Sequence, residues 1–370
     1  MIYFEDFNLI DEQTLKELNL KIDEVINEKN RVKINYELLE KVLGSISINS
    51  RHMRINNTKV QYPIKKSEMI GTTLDFFKSI DERIYDEAIN IILKKNDKIK
   101  LNIYNIRKVN DFRSKNESNM RLYEKEAGVR SLNGKATIYI PTNFEFKKED
   151  VKLLEKKDIV TIDDLYTIVH EISHIFDLDL TPDIANKNTS EKVKKGTREL
   201  LGESTAIAFE WMLTDYLLKN TEYPKDEIRD IMKRRINSSL IETNISYVKL
   251  LLAREKEKNG MISKEYIENF VKDKNINPGF AKNMIKTVIN DRISVAFSKR
   301  YALSKIISPM IVETIRKNGN DALIKYLQES KDDNFHGAME ALGIELNNKG
   351  IEKLIINMKQ KEASLGGIER

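Results

Sequence analysis

The sequence has 370 residues, of which 40% are hydrophobic and 33% are charged, as in globular proteins that bury a sizeable core. Lys and Arg total 63 against 58 Asp and Glu, a net charge of +5, and no basic block interleaved with aromatic residues favours nucleic-acid binding. Cysteine is absent, which excludes disulfides, thiolate metal ligands and a cysteine nucleophile.

The amino-terminal segment lacks the features of a secretory signal. MIYFEDFNLIDEQTLKEL is acidic and has neither a basic start nor an apolar core. No apolar run reaches the roughly 18 residues that a membrane-spanning helix requires. We therefore expect a cytoplasmic monomer with neither a membrane nor a nucleic-acid partner.

Residues 1–120 are predicted to form an amino-terminal helical region. Apolar residues recur at helical spacing from Met69 to Leu93, which predicts a long core face. From Ile99 to Ile103 apolar and polar residues alternate, which predicts a strand.

A hairpin is predicted in GVRSLNGKATIYIPTN, because Asn133-Gly134 favours a tight turn between two strand-like segments. A strand at a sheet edge can bind an extended peptide through its backbone. Ile138, Tyr139 and Ile140 are therefore candidate substrate-binding residues. An ordinary structural hairpin explains the same pattern equally well.

A helix is predicted in the stretch Thr161–Leu180, TIDDLYTIVHEISHIFDLDL. Thr161 and Asp164 have the spacing of a capping box, and Pro182 follows the expected end. The apolar positions recur at helical spacing on one face: Leu165, Ile168, Val169, Ile172, Ile175 and Phe176.

This helix carries HEISH, a match to the zinc-peptidase pattern HExxH. His170 and His174 are four residues apart, so both imidazoles lie on one face and can occupy two positions of a tetrahedral zinc site. Glu171 lies beside them, where a general base for a zinc-activated water belongs. The alternative is a pair of solvated or capping histidines on an ordinary amphipathic helix.

A polar surface loop is predicted after this helix, ending at Gly196, and Thr197 is predicted to cap a second helix, RELLGESTAIAFEWMLTDYLLKN. Glu203 falls on or beside its apolar stripe. A carboxylate there is costly unless it is paired or binds a metal. We expect it to complete a two-His, one-Glu site for one zinc ion, although pairing with a buried Arg or Lys is the alternative.

Supporting carboxylates commonly fix the tautomer and orientation of a metal-binding histidine. Three residues are candidates for this role: Asp177, Glu199 and Glu210.

HEISH and GESTAIAFEWMLTDYLL together resemble the zinc-site core of the oligoendopeptidase F and thimet oligopeptidase family of metallopeptidases. The hairpin resembles the substrate side of that family, and the similarity spans about residues 125–345. The resemblance implies a mainly helical, zincin-type (gluzincin-like) fold with a small sheet. It also implies that His170, His174 and Glu203 bind zinc and that Glu171 activates water.

The sequence also departs from that family. Family members are longer at the amino terminus and carry a His and tyrosines before the segment matched by RYALS. This chain reads NDRISVAFSKRYALS there, with Tyr301 as the aromatic hydroxyl and Arg292 and Arg300 as cations. Tyr301 is therefore the candidate oxyanion donor.

These observations predict a zinc endopeptidase acting on oligopeptides or on one specific protein. The alternative is a catalytically weak or inactive zincin-fold module that binds a peptide or protein. We expect a helical region at 1–120, a catalytic domain at 121–350, and a helix and tail at 351–370.

Overall fold

The computed structural model describes residues 10–31, 40, 42–44, 62–93, 99–105, 128–132, 135–142, 159–177, 191–273, 278–291, 295–332, 334–345 and 347–365. Most of them are helical, which confirms the mainly α class. The helices are α1 (Glu12–Arg31), α2 (Lys66–Ile80), α3 (Glu82–Ile92), α4 (Ile162–Asp177), α5 (Glu191–Asn220), α6 (Lys225–Asn259), α7 (Lys264–Asp273), α8 (Pro278–Asn290), α9 (Val295–Asn318), α10 (Asn320–Lys331), α11 (Phe335–Ala341) and α12 (Asn348–Ser364). No helix in these ranges has the length and apolarity to cross a membrane.

In the described part of the chain, two small sheets accompany the helices. The first pairs β1 (Pro63–Lys65) with β5 (Ile159–Thr161) in antiparallel fashion. The second contains β2 (Ile99–Asn105), β3 (Gly128–Leu132) and β4 (Lys135–Thr142) in the order β2, β4, β3. The predicted strand and hairpin are confirmed, because β2 begins at Ile99 and Leu132 pairs with Lys135 across a two-residue connection.

Contacts divide the chain into two compact units. One contains the described residues within 1–52 and 236–303, and the other contains those within 53–235 and 304–368. The division falls inside α6 and α9. The boundaries at 120 and 350 that the sequence suggested follow chain order, and they stay a prediction.

In the first of these units, an apolar core joins α1, α6, α7 and α8. Leu18 is fully buried, and Val271 packs against Ala281 in a small cluster. This unit also contains a buried charge, since Lys249 lies 2.6 Å from Asp291.

In the second unit, α4 is the central element. It packs against α2, α3, α5 and α10 and against strands β3, β4 and β5. The apolar face predicted for this helix is confirmed, because all six of its residues are buried. Burial on this scale explains why a single helix can hold the site in a fixed position.

An aromatic cluster holds α2, α4 and α5 together. Phe77, Phe176 and Phe209 come from these three helices, and their ring centroids lie 5.4 to 5.8 Å apart. Such aromatic contacts add to the stabilisation that comes from burial. They set the spacing between α4 and α5.

Two helices begin where the sequence did not predict. α5 starts at Glu191, so the expectation of a loop up to Gly196 and a cap at Thr197 is wrong. Glu and Lys dominate this first turn and a half, and both are good helix formers. The periodic stretch after Met69 is two helices, because Asp81 ends α2 and its carboxylate accepts a hydrogen bond from the Arg83 N–H at 2.9 Å.

Candidate metal centre

The amino-terminal cap of α4 fixes where the histidines lie. The Asp164 carboxylate accepts the Thr161 N–H at 2.8 Å, and the Thr161 hydroxyl accepts the Asp164 N–H at 3.3 Å. This reciprocal pair is the predicted capping box. Because Asp164 is buried, its pKa is raised to about 6, an effect that the Thr161 hydrogen bonds oppose.

Three potential ligand atoms from α4 and α5 converge on one point. The Nε2 atoms of His170 and His174 are 3.2 Å apart. The carboxylate of Glu203 lies 3.8 Å from His170 Nε2 and 4.0 Å from His174 Nε2. All three residues are partly or fully buried, and this group could hold a metal ion.

The donor set fits a tetrahedral metal. Ligand atoms at about 2.0–2.1 Å from such an ion lie roughly 3.3 Å from one another. The separation of the two imidazole nitrogens, 3.2 Å, is close to that spacing. The two carboxylate oxygens of Glu203 lie farther out, at 3.8 Å from one imidazole nitrogen and 4.0 Å from the other.

The other nitrogen of His170 is held by Glu210. His170 Nδ1 lies 2.8 Å from Glu210 Oε1. Burial favours the neutral acid, but the charge of Arg235 and the His170 hydrogen bond outweigh it and lower the Glu210 pKa. An ionised carboxylate only accepts hydrogen bonds, so Nδ1 donates and Nε2 of a neutral His170 presents its lone pair to the site.

Sequence reasoning missed Arg235, which lies on α6. Its Nη1 donates to Glu210 Oε1 at 2.8 Å. Its Nη2 donates to Asp163 Oδ1 at 2.9 Å and to Thr167 Oγ1 at 2.7 Å, both on α4. The guanidinium therefore connects the start of α4 to the carboxylate that holds His170.

The electrostatics of the site reflect several charges in a small buried space. Burial is the main cause that raises the pKa of Glu171 to about 7; the positive charge of His170 opposes this shift and the negative charge of Glu203 adds to it. For His170, burial disfavours the cation, but the Glu210 hydrogen bond and the nearby carboxylates raise the pKa to about 9 in the metal-free protein. A metal ion must therefore compete with a proton for His170.

The predicted substrate strand is the central strand of its sheet. Ile138 and Tyr139 pair with β2 on one side and β3 on the other, and Ile140 pairs with β2. The side chains of Ile138 and Ile140 are buried. Peptide pairing requires an open edge, so at this position the structural hairpin is the alternative that fits.

The remaining predicted site residues include Asp177, Glu199 and Tyr301. The side chains of Asp177 and Glu199 are outside the described part of the chain, as is Arg292. Tyr301 lies on α9, in the unit formed by residues 1–52 and 236–303. Of the three candidate supporting carboxylates, Glu210 is the one that the described residues place against a histidine.

Neither a protein-family model nor a curated protein matches the sequence. Among solved structures, the chain is similar to a "putative peptidase" from Chlamydophila abortus with a TM-score of 0.52 and 13% sequence identity. The similarity covers 96% of this chain and 55% of the other, so this chain spans about half the length of the structure it matches. At this identity the likeness shows a shared fold.

Proposed function

We propose that the protein is a zinc-dependent endopeptidase of the zincin type (gluzincin-like) that hydrolyses oligopeptides or a specific protein. The convergence of His170, His174 and Glu203 carries this proposal. The fold shared with the Chlamydophila abortus structure supports it. The resemblance to the oligoendopeptidase F and thimet oligopeptidase family belongs to the same proposal.

Zinc suits this set of ligands. Two imidazoles and one carboxylate with an open fourth position are typical of catalytic zinc sites. His170, His174 and Glu203 would hold the ion. When bound, zinc polarises the scissile carbonyl and lowers the pKa of a water molecule.

Glu171 is the proposed general base. Its carboxylate takes a proton from the attacking water and delivers it to the leaving amine. In the metal-free protein the pKa of Glu171 is raised to about 7, mainly by burial. Glu210 meanwhile keeps the Nε2 lone pair of His170 directed at the site.

The edge strand β3 is the proposed docking strand for an extended peptide. In the described sheet β3 lies at one end of the strand order, next to β4. α4 contacts β3 as well as β4. A peptide added along β3 would thus lie on a strand packed against the helix that carries the histidines.

Tyr301 is the proposed oxyanion donor. Replacing it with Phe should lower kcat by about 10²–10³ while zinc affinity stays unchanged. Tyr247→Phe, in the same unit, is the matched control and should retain activity. A Tyr301→Phe variant as active as the Tyr247→Phe variant would remove Tyr301 from the mechanism.

The test of the proposal is cleavage of a quenched mixed-peptide library by the zinc-loaded wild type and by Glu171→Gln, with bound zinc quantified. Glu222→Gln is the control, because Glu222 is exposed after the end of α5. We expect the wild type and the control to cut, and Glu171→Gln to bind zinc without cutting. Zinc binding with no cleavage by the wild type would instead favour a peptide-binding module.

Intact-protein substrates separate the two forms of the endopeptidase proposal. Cleavage of short peptides indicates an oligopeptidase. Cleavage of one intact protein without cleavage of short peptides indicates a dedicated protease.

A further inference from the structure

The guanidinium of Arg235 is connected to the candidate metal ligand His170 through a single residue, Glu210. It donates to Glu210 Oε1, the same oxygen that accepts from His170 Nδ1. Both donors therefore fix the position of one carboxylate oxygen.

Four further hydrogen bonds attach Arg235 to α4. Its Nε and Nη2 both donate to Asp163 Oδ1, at 3.1 and 2.9 Å. Its Nη2 also donates to the Asp163 carbonyl at 3.0 Å and to Thr167 Oγ1 at 2.7 Å. The Tyr166 ring, 5.5 Å from the guanidinium carbon, covers it.

These contacts brace the guanidinium on the helix that carries His170. Thr167 lies three residues before His170, about one turn along the same face of α4. Glu210 comes from α5, so Arg235 spans both helices of the site. A planar, multidentate group can make all of these contacts at once, whereas a lysine ammonium cannot.

We infer that Arg235 is a positioning residue that sets the orientation of Glu210 and, through it, the tautomer and ring angle of His170 for metal binding. This inference rests on the proposed metal site. Groups of this kind, one step removed from a metal, typically change metal affinity about 10–100-fold when they are removed.

A double-mutant cycle on zinc affinity tests the inference. Zinc dissociation constants are measured by chelator competition for the wild type, Arg235→Met, Glu210→Gln and the double variant. Each single variant should bind zinc about 10–100-fold more weakly. The zinc affinity of the double variant should equal that of whichever single variant has the lower affinity, because Arg235 acts through Glu210.

Arg229→Met is the matched control. Arg229 lies on the same helix and pairs at 3.3 Å with Asp226, an exposed residue. The zinc affinity of the Arg229→Met variant should stay within about twofold of that of the wild type. Arg235→Lys keeps the buried positive charge and should lose about tenfold, which decides the question if Arg235→Met does not fold.

The outcomes separate this inference from the proposed function. A wild type that binds no zinc would overturn both. Tight zinc binding by the wild type together with wild-type affinity in Arg235→Met and Arg235→Lys overturns the inference alone. Losses that multiply in the double variant also overturn it, since they show that Arg235 and Glu210 act independently. Thermal stability of the metal-free proteins, measured in parallel, reports any purely structural effect.

Discussion

The helices α4 and α5 carry two contrasting sides. On one side Phe176 and Phe209 pack with Phe77 in an apolar cluster. On the other side His170 meets Glu203 and Glu210. Since both sides belong to the same pair of helices, the apolar packing sets the separation that the polar side uses.

The two sides differ in how specific their residues and contacts must be. Apolar packing is non-directional, and many residue combinations of the right size satisfy it. The polar side gathers carboxylates in a buried space, where burial and, after it, the like charge of Glu203 raise the Glu171 pKa. The apolar side therefore supplies stability. The chemistry depends on the polar side, where burying several charged groups lowers stability unless they are paired.

Breaking the apolar side should have the largest effect. Phe209→Ala removes a fully buried ring and should lower the free energy of unfolding by about 3–5 kcal/mol. Zinc affinity should fall with it, because the spacing of α4 and α5 loosens. Denaturant unfolding and chelator competition measure the two effects. Phe270→Ala, in the other unit, is the control and should leave zinc affinity unchanged; wild-type stability of Phe209→Ala contradicts the account.

A substitution on the polar side should lower the zinc affinity without lowering the stability of the metal-free protein. Glu203→Gln should weaken zinc binding by more than the roughly 100-fold upper range for a supporting residue. The metal-free variant should differ little in stability from the wild type, because the negative charge of Glu203 disfavours ionised Glu171 but favours protonated His170. Calorimetry with and without zinc checks both statements. A large loss of metal-free stability would show that Glu203 holds the fold together.

The cap of α4 provides a pH-dependent test. The folded-state pKa of Asp164 is raised by burial from 3.8 to about 6, so its contribution to stability is greatest below pH 3.8 and is lost as pH rises through 6. Each pKa unit corresponds to about 1.4 kcal/mol, so this loss is on the order of 3 kcal/mol. Asp164→Asn keeps an acceptor oxygen but cannot ionise, and should make the stability profile of the metal-free protein less steep between pH 4 and 7, where Glu171 still titrates.

The control for this profile is Asp226→Asn, since Asp226 is exposed in the first turn of α6. Its profile should follow that of the wild type. Equal slopes for Asp164→Asn and the wild type would show that the Asp164 carboxylate titrates alike in the folded and unfolded chain.

The smallest effect is expected at a polar contact between the two helices. The Tyr166 hydroxyl and Thr214 Oγ1 are 2.8 Å apart, and Thr214 also donates to the Glu210 carbonyl. Tyr166→Phe should therefore cost only about 1 kcal/mol of stability, because Thr214 keeps a partner. The ring beside Arg235 is retained, so zinc affinity should stay the same. A fall of tenfold or more in affinity would show that this contact belongs to the polar side.

Much of the site could be predicted from local sequence. The capping box, the apolar face of α4 and the pair His170 and His174 are all encoded within one helix. Glu203 was predicted from its place on the stripe of the next helix, and the structure brings it to the histidines. Local patterns succeed here because helical geometry fixes which residues share a face.

Arg235 could not be predicted in this way. It is the last of three consecutive basic residues, Lys233, Arg234 and Arg235, on a helix with charges all around it. Only the packing of α6 shows that Arg235 reaches the site while Lys233 lies near Asp230. The central position of β4 could not be predicted from local sequence either, because its partner β2 lies in a distant part of the chain.

The most direct test of the central claim is X-ray absorption spectroscopy of the zinc-loaded protein. We expect two imidazole nitrogens and one carboxylate oxygen in the first coordination shell of the ion, at about 2.0–2.2 Å. One imidazole should disappear from that shell in His174→Ala. A spectrum without imidazole scattering, or one that His174→Ala leaves unchanged, would contradict the assignment of the site.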